Sequence, residues 1–93
     1  MALIHVNAQT ATSPVVLLTV QQSARPQTAV SIYNGHSASI FVGDSSIATS
    51  GATIGRTIPT ATSQTFYVSG GDVVYGISAA ASAAGAVVCT YSA

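Results

Sequence analysis

Ninety-three residues make one small domain, able to bury about two-thirds of the surface its unfolded chain exposes. Charged residues are 4 % of the chain, the four being Arg25, Asp44, Arg56 and Asp72, and the formal net charge is zero, where a soluble domain carries roughly a quarter of its residues charged. That balance leaves no basic patch to drive direct nucleic-acid binding, and a 48 % hydrophobic content rich in Val and Ile excludes a disordered chain.

The N-terminal "MALIHVNAQ" has no basic region, and its apolar run is too short for a signal peptide. Leu3–Val6 reads as a short strand, followed by a polar stretch that breaks at Thr12–Pro14. Residues 1–14 therefore read as an N-terminal strand or arm, and 15–93 as the β-sandwich domain. The stretch Asn7–Ser13 spans about 20 Å if extended. That is enough to lay Leu3–Val6 on the sheet edge of a neighbouring chain, and this arrangement is favoured over pairing within its own sheet.

Further strands are expected near Val15–Gln22, Ala29–Tyr33, Ser39–Val42, Thr53–Ile58, Gln64–Val68, Val73–Ser78 and Ala86–Tyr91. Breaks fall at Arg25–Pro26, Asn34–His36, Gly43–Ser46, Pro59–Thr62, Gly70–Asp72 and Ser82–Gly85. "YNGHS" contains Asn-Gly, the strongest short hairpin signal, and "SGGD" supplies positive-φ residues for a tight turn. "SAAASAAGA" is rich in the best helix former. It is too short to stand alone and has no apolar stripe to dock it, so it reads as a loop. The uncharged span 73–93 is long enough to cross a bilayer, but its glycines, hydroxyls and alternation argue for strands. Evenly spaced short strands predict an all-β fold, a single small antiparallel β-sandwich of about seven to eight strands.

Alternation assigns faces. Val16, Leu18 and Val20 point one way, and Val15, Leu17 and Thr19 the other. Val73, Tyr75 and Ile77 oppose Val74, Gly76 and Ser78, while Val87, Cys89 and Tyr91 oppose Val88 and Thr90. Several positions on the second face are apolar, where a solitary sandwich would place polar residues. Together with the scarcity of charge, this predicts a permanent partner surface and a homo-oligomer, a trimer being favoured. Candidate assembly contacts are Leu3, Ile4, Val6, Val15, Leu17, Val74 and Val88.

No constellation of reactive residues accompanies this pattern. "VGDSS" resembles the nucleophile block of GDSL-type hydrolases, but the Asp-x-x-His block supplying their base is missing, as is a helix after the serine. Asp44 reads instead as a turn residue accepting backbone N–H bonds two residues on. His5, His36, Cys89, Asp44 and Asp72 have no recognised metal-ligand spacing. His36 reads as a hairpin-tip residue and Cys89 as a small buried hydrophobe. The expectation is a protein that is no enzyme and takes no cofactor.

The run "VSIYNGHSASIFVGDSSIATSGATIGRTIPTATSQTFYVSGGDVVYGISA" resembles small β-sandwich virion proteins of tailed bacteriophages. The features that carry the resemblance are Asn34-Gly35, the Ile40–Gly43 strand, Ser50-Gly51, the aromatic strand Phe66–Val68 and Gly71–Ile77. It covers roughly the last two-thirds of the chain and leaves out about the first 25 residues. In place of the usual apolar residue and Gly before the aromatic strand stands "IPTATSQ". The resemblance implies a minor capsid protein decorating the outer surface of the virion, made in the host cytoplasm and bound to the major capsid protein lattice, with no membrane partner. Other readings are a tail or fibre component, or a glycan-binding module using the loops Asp44–Thr53 and Thr60–Gln64, which contain no aromatic residue.

Overall fold

The computed structural model describes residues 3–21, 28–49, 51 and 55–92. These residues form eight strands: β1 (Leu3–Ala8), β2 (Val15–Thr19), β3 (Thr28–Asn34), β4 (Ile40–Gly43), β5 (Arg56–Ile58), β6 (Thr62–Val68), β7 (Val73–Ile77) and β8 (Val87–Ser92). Each lies where β-branched and aromatic residues alternate between turn formers, as expected. No helix is present among them, and the alanine-rich segment is a loop. The ends of the second and fifth expected strands, at Gln22 and Thr53, lie outside the described residues.

The strands make two four-stranded sheets, ordered β1-β8-β3-β6 (sheet I) and β2-β7-β4-β5 (sheet II), with every pair antiparallel. The pairs β1–β8, β2–β7, β3–β6 and β4–β5 nest one inside the next. The chain is thus one long hairpin, folded over so that β8 also meets β3 and β7 also meets β4. This is the strand order of an eight-stranded jelly roll. Only β4 and β5 are consecutive strands that adjoin in one sheet; every other connection crosses between sheets.

Two sequence readings change as a result. Asn34-Gly35 does not close a hairpin, because β3 and β4 belong to different sheets. Asn34 is instead fully buried at the corner where the chain leaves sheet I. Gly35 is required there because a Cβ would lie 2.5 Å from the Ala86 carbonyl oxygen. The second change concerns the N-terminal segment. β1 pairs with β8 of its own sheet from Leu3↔Ser92 to Ala8↔Val87, and so completes the sandwich rather than forming an arm on a neighbour. Ile4, Val6 and Ala8 of this strand pack against the core. By contrast, "SGGD" is the tight turn expected: Gly71 has φ 89°, and Asp72 N–H donates to Ser69 O at 3.0 Å.

The core lies between the sheets and contains Val30, Ile32, Ile40, Val42, Ile58, Val87, Cys89 and Tyr91 together with Leu17, Leu18, Val20 and Val74. Burying each of the fully enclosed isoleucines contributes about 1.5–3 kcal/mol. Leu17 and Leu18 are adjacent in sequence, yet both are buried. The β2–β7 register shifts between Val16 and Leu18, and the bulge turns both leucines inward. Leu17 fills the space above Gly76, where a Cβ would approach its Cδ1 to 2.6 Å. The bulge also overturns the face assignment of β2: Val16 is 52 % exposed, while Leu17 is in the core.

Candidate functional site

The bulge and the β7 phase decide where the expected contact residues lie. Leu17 and Val74 are core residues, so they offer nothing to a neighbour; the inference from strict alternation fails at the bulge and in the inward phase of β7. Ile4 and Val6 face inward, half-buried against the core. Val15 is half-buried in β2, opposite Gly76. Leu3, 73 % exposed, and Val88, half-buried, lie on the outer face of sheet I.

That outer face has no Asp or Arg among its described strand residues. Two rows of cross-strand neighbours run over it, Asn7–Val88–Tyr33–Ser63 and His5–Thr90–Ser31–Thr65. Within it His5 Nε2 is hydrogen-bonded to Asn7 Oδ1. Tyr33 is 42 % exposed and Tyr67 is 72 % exposed. From sequence both tyrosines lie on expected strands and read as core or subunit contacts rather than a sugar platform; in the structure both occupy the outward phase of their strands among Ala, Ser and Thr. Because the backbone polar groups are paired within the sheet, covering such a face desolvates mainly hydroxyls and apolar carbon.

A second feature opens where the sandwich ends at β6. Sheet I terminates in β6 and sheet II in β5, and between them lies a cleft of about 440 Å³. Its apolar walls come from the inner faces, Val42 and Val74 on one side, Phe66 and Val68 on the other. Around these stand Asp44, Arg56, Asp72 and the exposed Tyr67. Three of the chain's four charged residues thus line one cleft; the fourth, Arg25, lies outside the described residues. Asp44 and Arg56 stand at the two ends of the β4–β5 connection, and Asp72 precedes β7.

The local chemistry of "VGDSS" is that of a turn. Asp44 Oδ1 accepts Ser46 N–H at 2.9 Å and Ser46 Oγ–H at 2.7 Å, and Asp44 O accepts Ile47 N–H at 3.3 Å. The Ser46 hydroxyl, followed by its backbone N–H, holds the Asp44 carboxyl below its ordinary value of 3.8. Because the folded value is the lower one, this contribution to stability is complete above the ordinary value and is lost as pH falls through the lowered one. Ser45 itself is exposed. Asp72 plays a similar part, its Oδ2 accepting Ser69 N–H at 2.7 Å.

Ser45→Ala and Asp44→Asn are expected to unfold at nearly the parent's temperature, since both sites are exposed and Asn keeps the accepting oxygen. Thermal unfolding checks it. Hydrolysis of p-nitrophenyl acetate by the parent protein that disappears in Ser45→Ala would restore the hydrolase reading.

Cys89 lies between Val6 and Ile32 in neighbouring strands and is fully buried, as expected. Burial pushes its thiol up to about 11, which keeps it from acting as a thiolate. His36 lies in the β3–β4 connection, where its N–H donates to Asn34 Oδ1 at 2.8 Å. No family model, curated protein or solved structure matches this chain.

Proposed function

We propose that this protein is a non-enzymatic structural component of a bacteriophage particle, a capsid-decoration protein that binds the major capsid protein lattice as a homo-oligomer, a trimer being favoured. The observation that carries the reading is the outer face of sheet I, free of Asp and Arg and bearing the exposed side chains of Leu3, Tyr33 and Tyr67. Aromatic residues are enriched, and charged ones depleted, at the centres of protein interfaces. A jelly roll is a fold that viral coat domains use, which is compatible with this role without selecting it.

The experiment is to purify particles and measure the copy number of this protein relative to the major capsid protein. Stoichiometric retention after density-gradient purification is expected. Tyr33→Lys is expected to weaken particle binding more than about tenfold while leaving thermal unfolding close to that of the parent, as for a central aromatic anchor. Absence from purified particles overturns the reading. A sedimentation coefficient of a monomer at micromolar concentration, for protein still able to bind particles, overturns the oligomer.

A further inference from the structure

The cleft at the β6 end of the sandwich combines features that the assembly reading leaves unused. In a chain with only four charged residues, two carboxylates and a guanidinium surround one apolar opening. Each carboxylate is half committed: Asp44 Oδ1 and Asp72 Oδ2 hold turn N–H groups. The second oxygen of each carboxylate and the Arg56 guanidinium have no hydrogen-bond or ion-pair partner among the described residues. The turns therefore fix two acceptors in place, while a fork of donors stands on β5 beside them. Phe66 supplies a half-buried aromatic wall, and Tyr67 stands 72 % exposed at the same rim.

We propose that this cleft binds a neutral saccharide. The charge set argues against the alternatives: an anionic ligand meets two carboxylates, and a cationic one meets Arg56. An uncharged ligand rich in hydroxyl groups uses all three residues, donating O–H to Asp44 and Asp72 and accepting N–H from Arg56. A pyranose also has a face of C–H groups, which Phe66 on the inner wall covers as aromatic surfaces cover other apolar groups. The volume, about 440 Å³, lies within the range of small-molecule sites and takes one or two sugar rings. The loops that sequence analysis considered for glycan binding lack an aromatic residue. The fold supplies one, because Phe66 of β6 lines the same cleft as the end of β4 where Asp44 begins its turn.

The test is a titration of the full-length ¹⁵N-labelled protein, separately with glucose, galactose, mannose and N-acetylglucosamine, followed by ¹H–¹⁵N correlation spectra. At least one sugar is expected to give saturable shifts at the amides of Asp44, Arg56, Phe66, Tyr67 and Asp72, with a dissociation constant on the order of millimolar. The double substitution Asp44→Asn and Asp72→Asn keeps the turn acceptors and is expected to weaken binding about tenfold. Arg56→Gln, at an exposed side chain of the cleft, is expected to weaken it about fivefold while the rest of the spectrum stays unchanged. The proposal is overturned if none of the four sugars shifts these amides, or if the shifts survive both sets of substitutions undiminished. It is equally overturned if calcium chloride perturbs the same amides and the sugars do not. Particle binding does not enter any of these readouts, so the proposal stands or falls separately from the assembly role.

Discussion

Deleting residues 1–12 is expected to give an unfolded or insoluble product. β1 is paired with β8 along its whole length, from Leu3↔Ser92 to Ala8↔Val87. Its inward side chains Ile4, Val6 and Ala8 pack against the core cluster. Beyond the strand, Thr10 is buried and latches onto the β7–β8 loop. Its N–H donates to Ser82 Oγ at 2.9 Å, its O accepts Ser82 N–H at 2.9 Å, and its Oγ1 lies 2.7 Å from Ser78 Oγ. Net hydrogen bonds contribute about 1 kcal/mol each, and two half-buried aliphatic side chains add about 1–2 kcal/mol apiece. Those losses are comparable with the 5–15 kcal/mol that separates a small domain from its unfolded state.

The deletion also bares Val87, Cys89 and Tyr91 along a new sheet edge, an invitation to aggregate. Soluble expression, amide dispersion in NMR spectra and binding of a hydrophobic dye report the outcome. A soluble domain with a native-like spectrum and weakened self-association would instead make residues 1–12 an exchangeable arm. Adding the peptide of residues 1–12 in trans discriminates further, since restored dispersion requires a vacant β8 edge.

The strands were legible in the sequence because their evidence is local. Val87, Cys89 and Tyr91 alternate with Val88 and Thr90, and the structure buries the first set fully and the second in part. Pairing was not legible, because in this topology the partner of a strand lies far away along the chain. β1 meets β8 and β2 meets β7, and no local signal records either pairing. Strict alternation misplaced Leu17 because a bulge inserts one residue without changing the apolar character of "VVLL". The cleft was invisible for the same topological reason: Asp44 and Asp72 looked like isolated turn residues and Arg56 like a strand residue until the nested hairpin brought the β4–β5 and β6–β7 connections to one end. Asp44 alone revealed its local role, since an Asx turn depends on only the next two residues.

Asn34, whose pairing with Gly35 in sequence suggests a hairpin turn, is a position where substitution is expected to be among the most damaging single changes. The side chain is fully enclosed and makes three bonds. Nδ2 donates to Ile58 O at 2.8 Å and to Ala38 O at 2.9 Å, and Oδ1 accepts His36 N–H at 2.8 Å. Its backbone O accepts the N–H of Ala61, a residue at φ 57°, while Gly35 N–H donates to Ala86 O, each at 2.8 Å. One residue therefore ties the end of β3 to β5 in the opposite sheet and to both loops beside it. In Asn34→Ala the carbonyl beside fully buried Ile58 loses a partner that water cannot readily replace, and a cavity remains. The expected cost is about 3–5 kcal/mol, from unsatisfied buried groups at about 1–3 kcal/mol each. Asn34→Asp separates the hydrogen-bonding role from packing. A carboxylate there keeps the bond from His36 N–H but directs a second oxygen at two carbonyls, so burial and repulsion raise its pKa above the unfolded value. A group with a raised folded pKa contributes stability below the unfolded pKa and loses it as pH rises through the folded one. Asn34→Asp should therefore be closest to the parent below about pH 4 and lose stability steadily toward neutrality. Denaturant unfolding of both variants across that range measures this directly. A flat pH profile for Asn34→Asp, or a loss under about 1 kcal/mol in Asn34→Ala, would show that the corner is held by its backbone bonds alone.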